Sequence, residues 1–123
     1  MEEDFWGWFR KFSDCVRWVL KPYGFIEDGT GEDVNFRRFY MRKGKSKNEG
    51  FILHLQPRHT LDKINVYFGL PENQLKVPKG YSGIRPTDQK NQCQIDIYMK
   101  SPYYWPLILL LAVQVAKAKS VHD

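Results

Sequence analysis

Cysteine is scarce in this chain. Two residues in 123, Cys15 and Cys93, supply neither the dense spacing of a disulfide framework nor the paired spacing of a zinc site, so both are expected as reduced core residues. Histidine is nearly as rare. His54 and His59 are the only two before the C-terminal tail, and H-x-x-x-x-H at a hairpin end matches no familiar metal motif, so no metal is expected. A glycine-rich phosphate loop is missing, because GTGED at Gly29 lacks the lysine and the following helix. Glu-x-Lys occurs nowhere, and the nearest string to a nuclease constellation, Asp88-Gln89-Lys90, falls in a polar stretch rather than a strand. These absences argue against an enzyme and against a bound cofactor. The main apolar run, Leu107 to Val113 with its flanks, is short of the roughly 20 residues that span a bilayer, so it reads as a buried helix with no membrane partner. The start, MEEDFWGWF, is acidic and aromatic where a secretory signal is basic and then apolar, and a cytoplasmic location is expected.

What the chain does have is enough apolar and aromatic material for one core. At 42% hydrophobic and 15% aromatic, with 27% charged residues, residues 1–123 read as one soluble domain. Charge is unevenly spread. Met1 to Phe36 holds four basic against eight acidic residues, and Arg37 to Asp123 holds fifteen against six. Two electrostatic poles of this kind suit steering of a polyanion or docking on an acidic protein surface.

The clearest local pattern is Gly50 to Pro71, GFILHLQPRHTLDKINVYFGLP. Phe51, Leu53 and Leu55 share one strand face, and Ile64, Val66, Phe68 and Leu70 share another. His54, Gln56, Asn65 and Tyr67 fall on the opposite sides, as a half-buried antiparallel hairpin requires. Upstream, Phe5, Trp8, Phe9, Phe12, Val16, Val19 and Leu20 recur at helical spacing, predicting a helix from about Glu3 to Leu20 that Pro22 and Gly24 end. Trp6 and Trp18 lie off its main stripe and are expected along the flank of the core. Val34 to Lys43 reads as a strand and Cys93 to Lys100 as the last strand. Ser101 and Pro102 are candidates for the N-cap and first position of a C-terminal helix, with Pro106 closing its first turn or restarting it, and the helix runs to about Lys119. Glu72 to Gln92, rich in proline, glycine and polar residues, reads as one long loop, functional or disordered.

The order is therefore α-β-β-β-β-α. The expected fold is α+β, a two-layer sandwich in which an antiparallel four-stranded sheet is covered by the N- and C-terminal helices. The hairpin FILHLQPRHTLDKINVYFGLP, the KGYSGI stretch and QIDIYMK before a C-terminal helix together resemble an uncharacterised small bacterial domain. That domain is found alone or at the C-terminal end of restriction-endonuclease-like proteins. The resemblance implies an accessory module rather than an active site. The N-terminal helix, its KPYGF exit and RRFYMRK resemble a second uncharacterised bacterial family with helix, Gly-Phe and strand order.

The strongest candidate for chemistry is the basic aromatic strand and turn: Arg37, Arg38, Tyr40, Arg42, Lys43, Lys45 and Lys47, with Phe36 and Phe39 interleaved. Cations neutralise phosphates while bases stack on rings, the combination that single strands require. The alternative is a solvated edge strand whose charges discourage edge-to-edge pairing. Lys76, Lys79, Arg85 and Lys90 either extend the patch or solubilise the loop. Strand alternation allows only one face of Phe36 to Tyr40 to be exposed. Three expectations follow. The first is a non-enzymatic accessory domain binding nucleic acid. The second is a small protein-binding inhibitor of phage or immunity type. The third is a small-molecule sensor with a pocket near Trp8, Trp105 and Tyr104.

Overall fold

A computed structural model describes residues 4–29, 37–41, 49–101 and 105–120. Helix α1, Phe5–Leu20, starts where the Asp4 carboxylate accepts from the Gly7 amide, satisfying a donor that the first turn leaves open. Its apolar stripe, from Phe5 through Trp8, Phe9, Phe12 and Val16 to Leu20, is buried. A single 3-10 turn at Lys21–Tyr23 carries Pro22, and Gly24 at φ +66° then redirects the chain.

Among the described residues six strands follow: β1 Ile26–Asp28, β2 Arg37–Tyr40, β3 Phe51–Arg58, β4 Lys63–Phe68, β5 Ile84–Pro86 and β6 Cys93–Tyr98. Helix α2, Trp105–Ser120, ends the described chain. The sheet is antiparallel throughout, in the order β1-β2-β3-β4-β6-β5. The α+β class, the two helices and the antiparallel pairing agree with the sequence reading, but the sheet has six strands rather than four. The two additional strands are both edges and three residues long, too short for a period of two to register. Of the predicted strand Val34 to Lys43, Arg37 to Tyr40 is strand; residues 34–36 and 42–43 lie outside the described residues.

The hairpin register places Leu55 opposite Val66 and Leu53 opposite Phe68. β6 continues the same face with Ile95 opposite Val66 and Ile97 opposite Ile64. Both helices cover this face. Arg37 on β2 lies against Phe9 of α1, and α2 packs on α1, β3 and β4. One cluster results, with Phe9, Phe12, Phe39, Phe68, Ile95 and Ile108 among its fully buried members.

Glu72 to Gln92 is not one loop. A 3-10 turn at Glu72–Gln74 precedes buried Leu75, β5 follows, and Ile84 is buried beneath the sheet edge. The Gln114 side chain of α2 ties this segment down, accepting from Lys76 N at 2.9 Å and donating to Lys76 O at 3.1 Å. Two apolar anchors in a polar stretch are enough to order it, yet too few to show a pattern. Of the predicted helix start at Ser101 and Pro102, residues 102–104 lie outside the described residues. The Ser101 amide donates to Tyr98 O at 3.0 Å in an isolated bridge, and the described part of α2 runs Trp105–Ser120 with Pro106 near its beginning.

Gly69 marks where β4 leaves the sheet. A Cβ there would stand 2.0 Å from the Phe51 carbonyl oxygen, and backbone cannot step aside as a flexible side chain can. Gly69→Ala is expected to destabilise the fold by about 1–3 kcal/mol, read as a lower urea midpoint.

Candidate functional site

The face of the sheet away from the helices is polar and basic. Asp28, Arg38, His54, Tyr67, Gln94 and Arg85 form one row across all six strands. Two residues further along, Gln56, Asn65 and Asp96 form a second row, and Arg58, Lys63 and Tyr98 a third. Four cations, Arg38, Arg58, Lys63 and Arg85, stand against two carboxylates, Asp28 and Asp96, on these strands.

Asp96 organises the centre of the face. Its Oδ2 accepts from Arg85 at 2.9 Å and Lys63 at 3.2 Å, and its Oδ1 accepts from Gln94 Nε2 at 2.9 Å. With its amide oriented to satisfy both neighbours, Asn65 donates to Asp96 Oδ1 at 3.0 Å and accepts from Arg58 Nε at 3.2 Å. Burial pushes the Asp96 carboxyl up, but the hydrogen bonds from Gln94, Arg85 and Lys63 outweigh it and hold the group below its ordinary range. Lys63 Nζ also lies 5.6 Å from the ring centroid of Tyr98, and Tyr98 is 49% exposed. The long cations are thereby held across the face, with an accessible ring among them.

At the β2 end, Arg38 lies 3.4 Å from His54 Nδ1, the His54 ring meets Tyr67 edge to face at 5.7 Å, and Tyr40 OH donates to Asp28 at 3.3 Å. Burial, with the Arg38 charge second, lowers the His54 pKa to about 4, against an opposing hydrogen bond from Gln56. The folded value lies below the unfolded one of about 6.5, so the unfolded chain binds the extra proton first. Stability contributed by neutral His54 is present above about pH 6.5 and is lost as pH falls toward 4. With allowance for the ring's solvent exposure, the loss is on the order of 1–3 kcal/mol. Urea midpoints compared at pH 7.5 and pH 5 should show it, and His54→Gln should flatten the difference.

The predicted site residues divide by strand face. Arg38 and Tyr40 lie on the open face. Arg37 is buried at 6% exposure on the helix side, donating to Gly29 O, 3.7 Å from Glu27 Oε2 and 5.3 Å from the Phe9 ring centroid. That position removes it from the accessible patch: Phe39, two residues on, is core, and alternation carries Arg37 inward with it. Arg42, Lys43, Lys45 and Lys47 lie outside the described residues. Arg58, Lys63, Tyr67 and Tyr98 were missed as site residues, although the alternation within β4 and β6 carried the signal. Cross-strand register, which brings them together, is set by non-local pairing.

Other sequence candidates separate. His54 is on the open face, while His59 lies 5.6 Å from Trp6 and 6.4 Å from Phe5 at the start of α1. Buried Trp8 meets Trp105, which packs against the core, at 6.3 Å; Tyr104 lies outside the described residues. Trp6 flanks the core, meeting Phe5 at 5.2 Å and Phe9 at 6.0 Å. Trp18 does not, standing 78% exposed on α1 beside a shallow hollow lined by Asp14, Arg17, Lys21 and Phe25. Buried Cys93 is pushed up to about 12 by burial and by Glu72, which keeps it an inert thiol. Among the described residues no group of three or more His, Cys, Asp or Glu is placed to hold a metal ion, and no helix is long and apolar enough to cross a membrane.

Comparison with protein-family models, with curated proteins and with solved structures returns no match for this chain, leaving the functional argument to the site's geometry.

Proposed function

We propose that this chain is a non-enzymatic binding module whose open sheet face takes single-stranded nucleic acid. The observation that carries the reading is the juxtaposition of Tyr67 and Tyr98 with Arg38, Arg58 and Lys63 on a sheet face that the helices leave open. Bases stack on the rings with little regard for sequence, and the cations contact phosphates, so affinity depends steeply on salt. An accessory role is also what the resemblance to the restriction-associated domain implies. Arg37 contributes from beneath by holding β2 in place and makes no contact with the strand.

Fluorescence anisotropy with labelled single-stranded DNA, single-stranded RNA and duplex DNA, each at two salt concentrations, tests the proposal. Single strands should bind more tightly than duplex and weaken with salt. Tyr98→Ala should weaken binding by about 1–3 kcal/mol, the worth of one stacked base. Silence at low salt, or binding indifferent to both Tyr98→Ala and Arg58→Ala, would sink it.

A second reading rests on Trp18. A tryptophan this exposed, ringed by charged side chains, is the kind of residue that dominates protein interfaces, and a protein-binding inhibitor would use it. It moves to first place if nucleic acid does not bind and Trp18→Ala abolishes a stoichiometric partner recovered from the native host.

A further inference from the structure

A cavity of about 660 Å³ opens at the end of the sheet where β3 begins, β4 ends and the chain enters β6. Its volume falls within the roughly 300–1,000 Å³ of small-molecule clefts. It shares no residue with the basic face, so its occupant is a separate question. The apolar wall is Phe51, Leu70 and Pro71, with Gly69 packed directly against the Phe51 carbonyl. Four carboxamides stand around it: Gln74, Gln89, Asn91 and Gln92. The loop that carries three of them is shaped from within. Thr87 Oγ1 donates to Gln89 O at 3.1 Å and accepts from Gln89 N at 3.0 Å, and Gln92 N donates to Gln89 O at 3.2 Å. Glu49 and Asp88 add carboxylates, and Lys90 with Lys119 of α2 adds two cations.

Each part of this lining matches one part of a nucleotide. A nucleobase has apolar faces, suited to the Phe51 wall, and edges with adjacent donors and acceptors, which carboxamides read in pairs. Ribose hydroxyls donate to carboxylates, and a phosphate is met by lysine point charges. A neutral saccharide would use the amides and carboxylates but leave Lys90 without a role. Inorganic phosphate would use the cations and the amide donors but not the apolar wall.

We propose that this cavity binds a nucleoside monophosphate, with the base against Phe51, Leu70 and Pro71 and the phosphate at Lys90. The site recruits Asp88-Gln89-Lys90, a string that falls short of a nuclease constellation in the sequence, as ligand-binding groups. The proposal does not depend on the sheet face binding nucleic acid.

Isothermal titration of the full chain with AMP, GMP, CMP and UMP, beside the matching nucleosides, ribose 5-phosphate and inorganic phosphate, tests it. At least one monophosphate should bind with a Kd below about 1 mM and at least about tenfold tighter than its nucleoside or ribose 5-phosphate, a gap of about 1.4 kcal/mol. Lys90→Glu, at an exposed position that does not endanger folding, should weaken it about tenfold, while Arg58→Ala on the sheet face should leave it unchanged. No binding by any of the four, equal binding of inorganic phosphate, or indifference to Lys90→Glu would each overturn the assignment. If single strands still bind and respond to Arg58→Ala, that failure belongs to the cavity alone.

Discussion

Glu27→Ala should unfold a large fraction of this protein's stability, with an expected loss of about 3–5 kcal/mol, because it removes the acidic centre of a charge cluster under the sheet edge. Glu27 accepts from Arg17 through both oxygens, Nε to Oε1 at 2.6 Å and NH2 to Oε2 at 2.7 Å, and its side chain is only 9% exposed. Arg37 approaches the same carboxylate at 3.7 Å. Pairing with Glu27 raises the Arg17 pKa, whereas desolvation lowers that of Arg37. Without the carboxylate the buried Arg37 guanidinium loses its nearby counter-charge and is left with the partly exposed Arg17 cation as its neighbour. Asp14, 2.6 Å from Arg17 NH1, is mostly exposed and screened, so it compensates weakly. Urea denaturation of Glu27→Ala beside Asp14→Ala gives the check: a small effect at Asp14 and a large one at Glu27 are expected. Equal effects would mean that the cluster is solvated and that β1 is not anchored through it.

Asp96→Ala should cost about 2–4 kcal/mol and act on the other face of the sheet. Gln94, Lys63 and Arg85 all donate to this carboxylate, whose side chain is 7% exposed. The figure is set below that for Glu27 because Arg85 is half exposed and recovers water when released. The folded carboxyl sits below its unfolded value, so the stability is present above the unfolded pKa near 3.9 and is lost as pH falls through the folded value. Asp96→Ala should therefore lose its destabilising effect in strong acid. It should also loosen Lys63 and Arg85, so the salt dependence of any nucleic-acid binding would persist while discrimination between single strand and duplex narrows. Denaturation at pH 7 and pH 2.5, with anisotropy at two salt concentrations, reads both effects.

Legibility of the site in the sequence followed the range of the interactions. The hairpin was readable because Leu53, Leu55, Ile64, Val66 and Phe68 alternate with polar residues over two long runs. The α1 stripe was readable for the same local reason. Strands β1 and β5 were not, since three residues hold little more than one period. In β2, Arg37-Phe39 and Arg38-Tyr40 are two cation-aromatic sets of nearly equal polarity, so alternation showed that the strand has two faces without showing which faces inward. Arg58, Lys63 and Tyr98 lie on three strands, and Gln74, Lys90 and Lys119 in three separate segments.

The sequence by itself determined the class: two apolar helices with an antiparallel sheet, an acidic opening segment, a basic remainder and no recognisable catalytic motif. Those properties are local or additive and survive without knowledge of contacts. Tertiary structure alone decided the rest. Glu27, paired with Arg17 and opposite Phe39 in the β1–β2 register, drew Arg37 inward and left Arg38 on the open face. The order β4-β6-β5 carried Asp96 to Lys63 and Arg85. The meeting of the start of β3, the end of β4 and the entry to β6 formed a cavity lined from distant parts of the chain. Each outcome depends on which strands pair and in what register, a choice made by burial of the whole core rather than by any single segment.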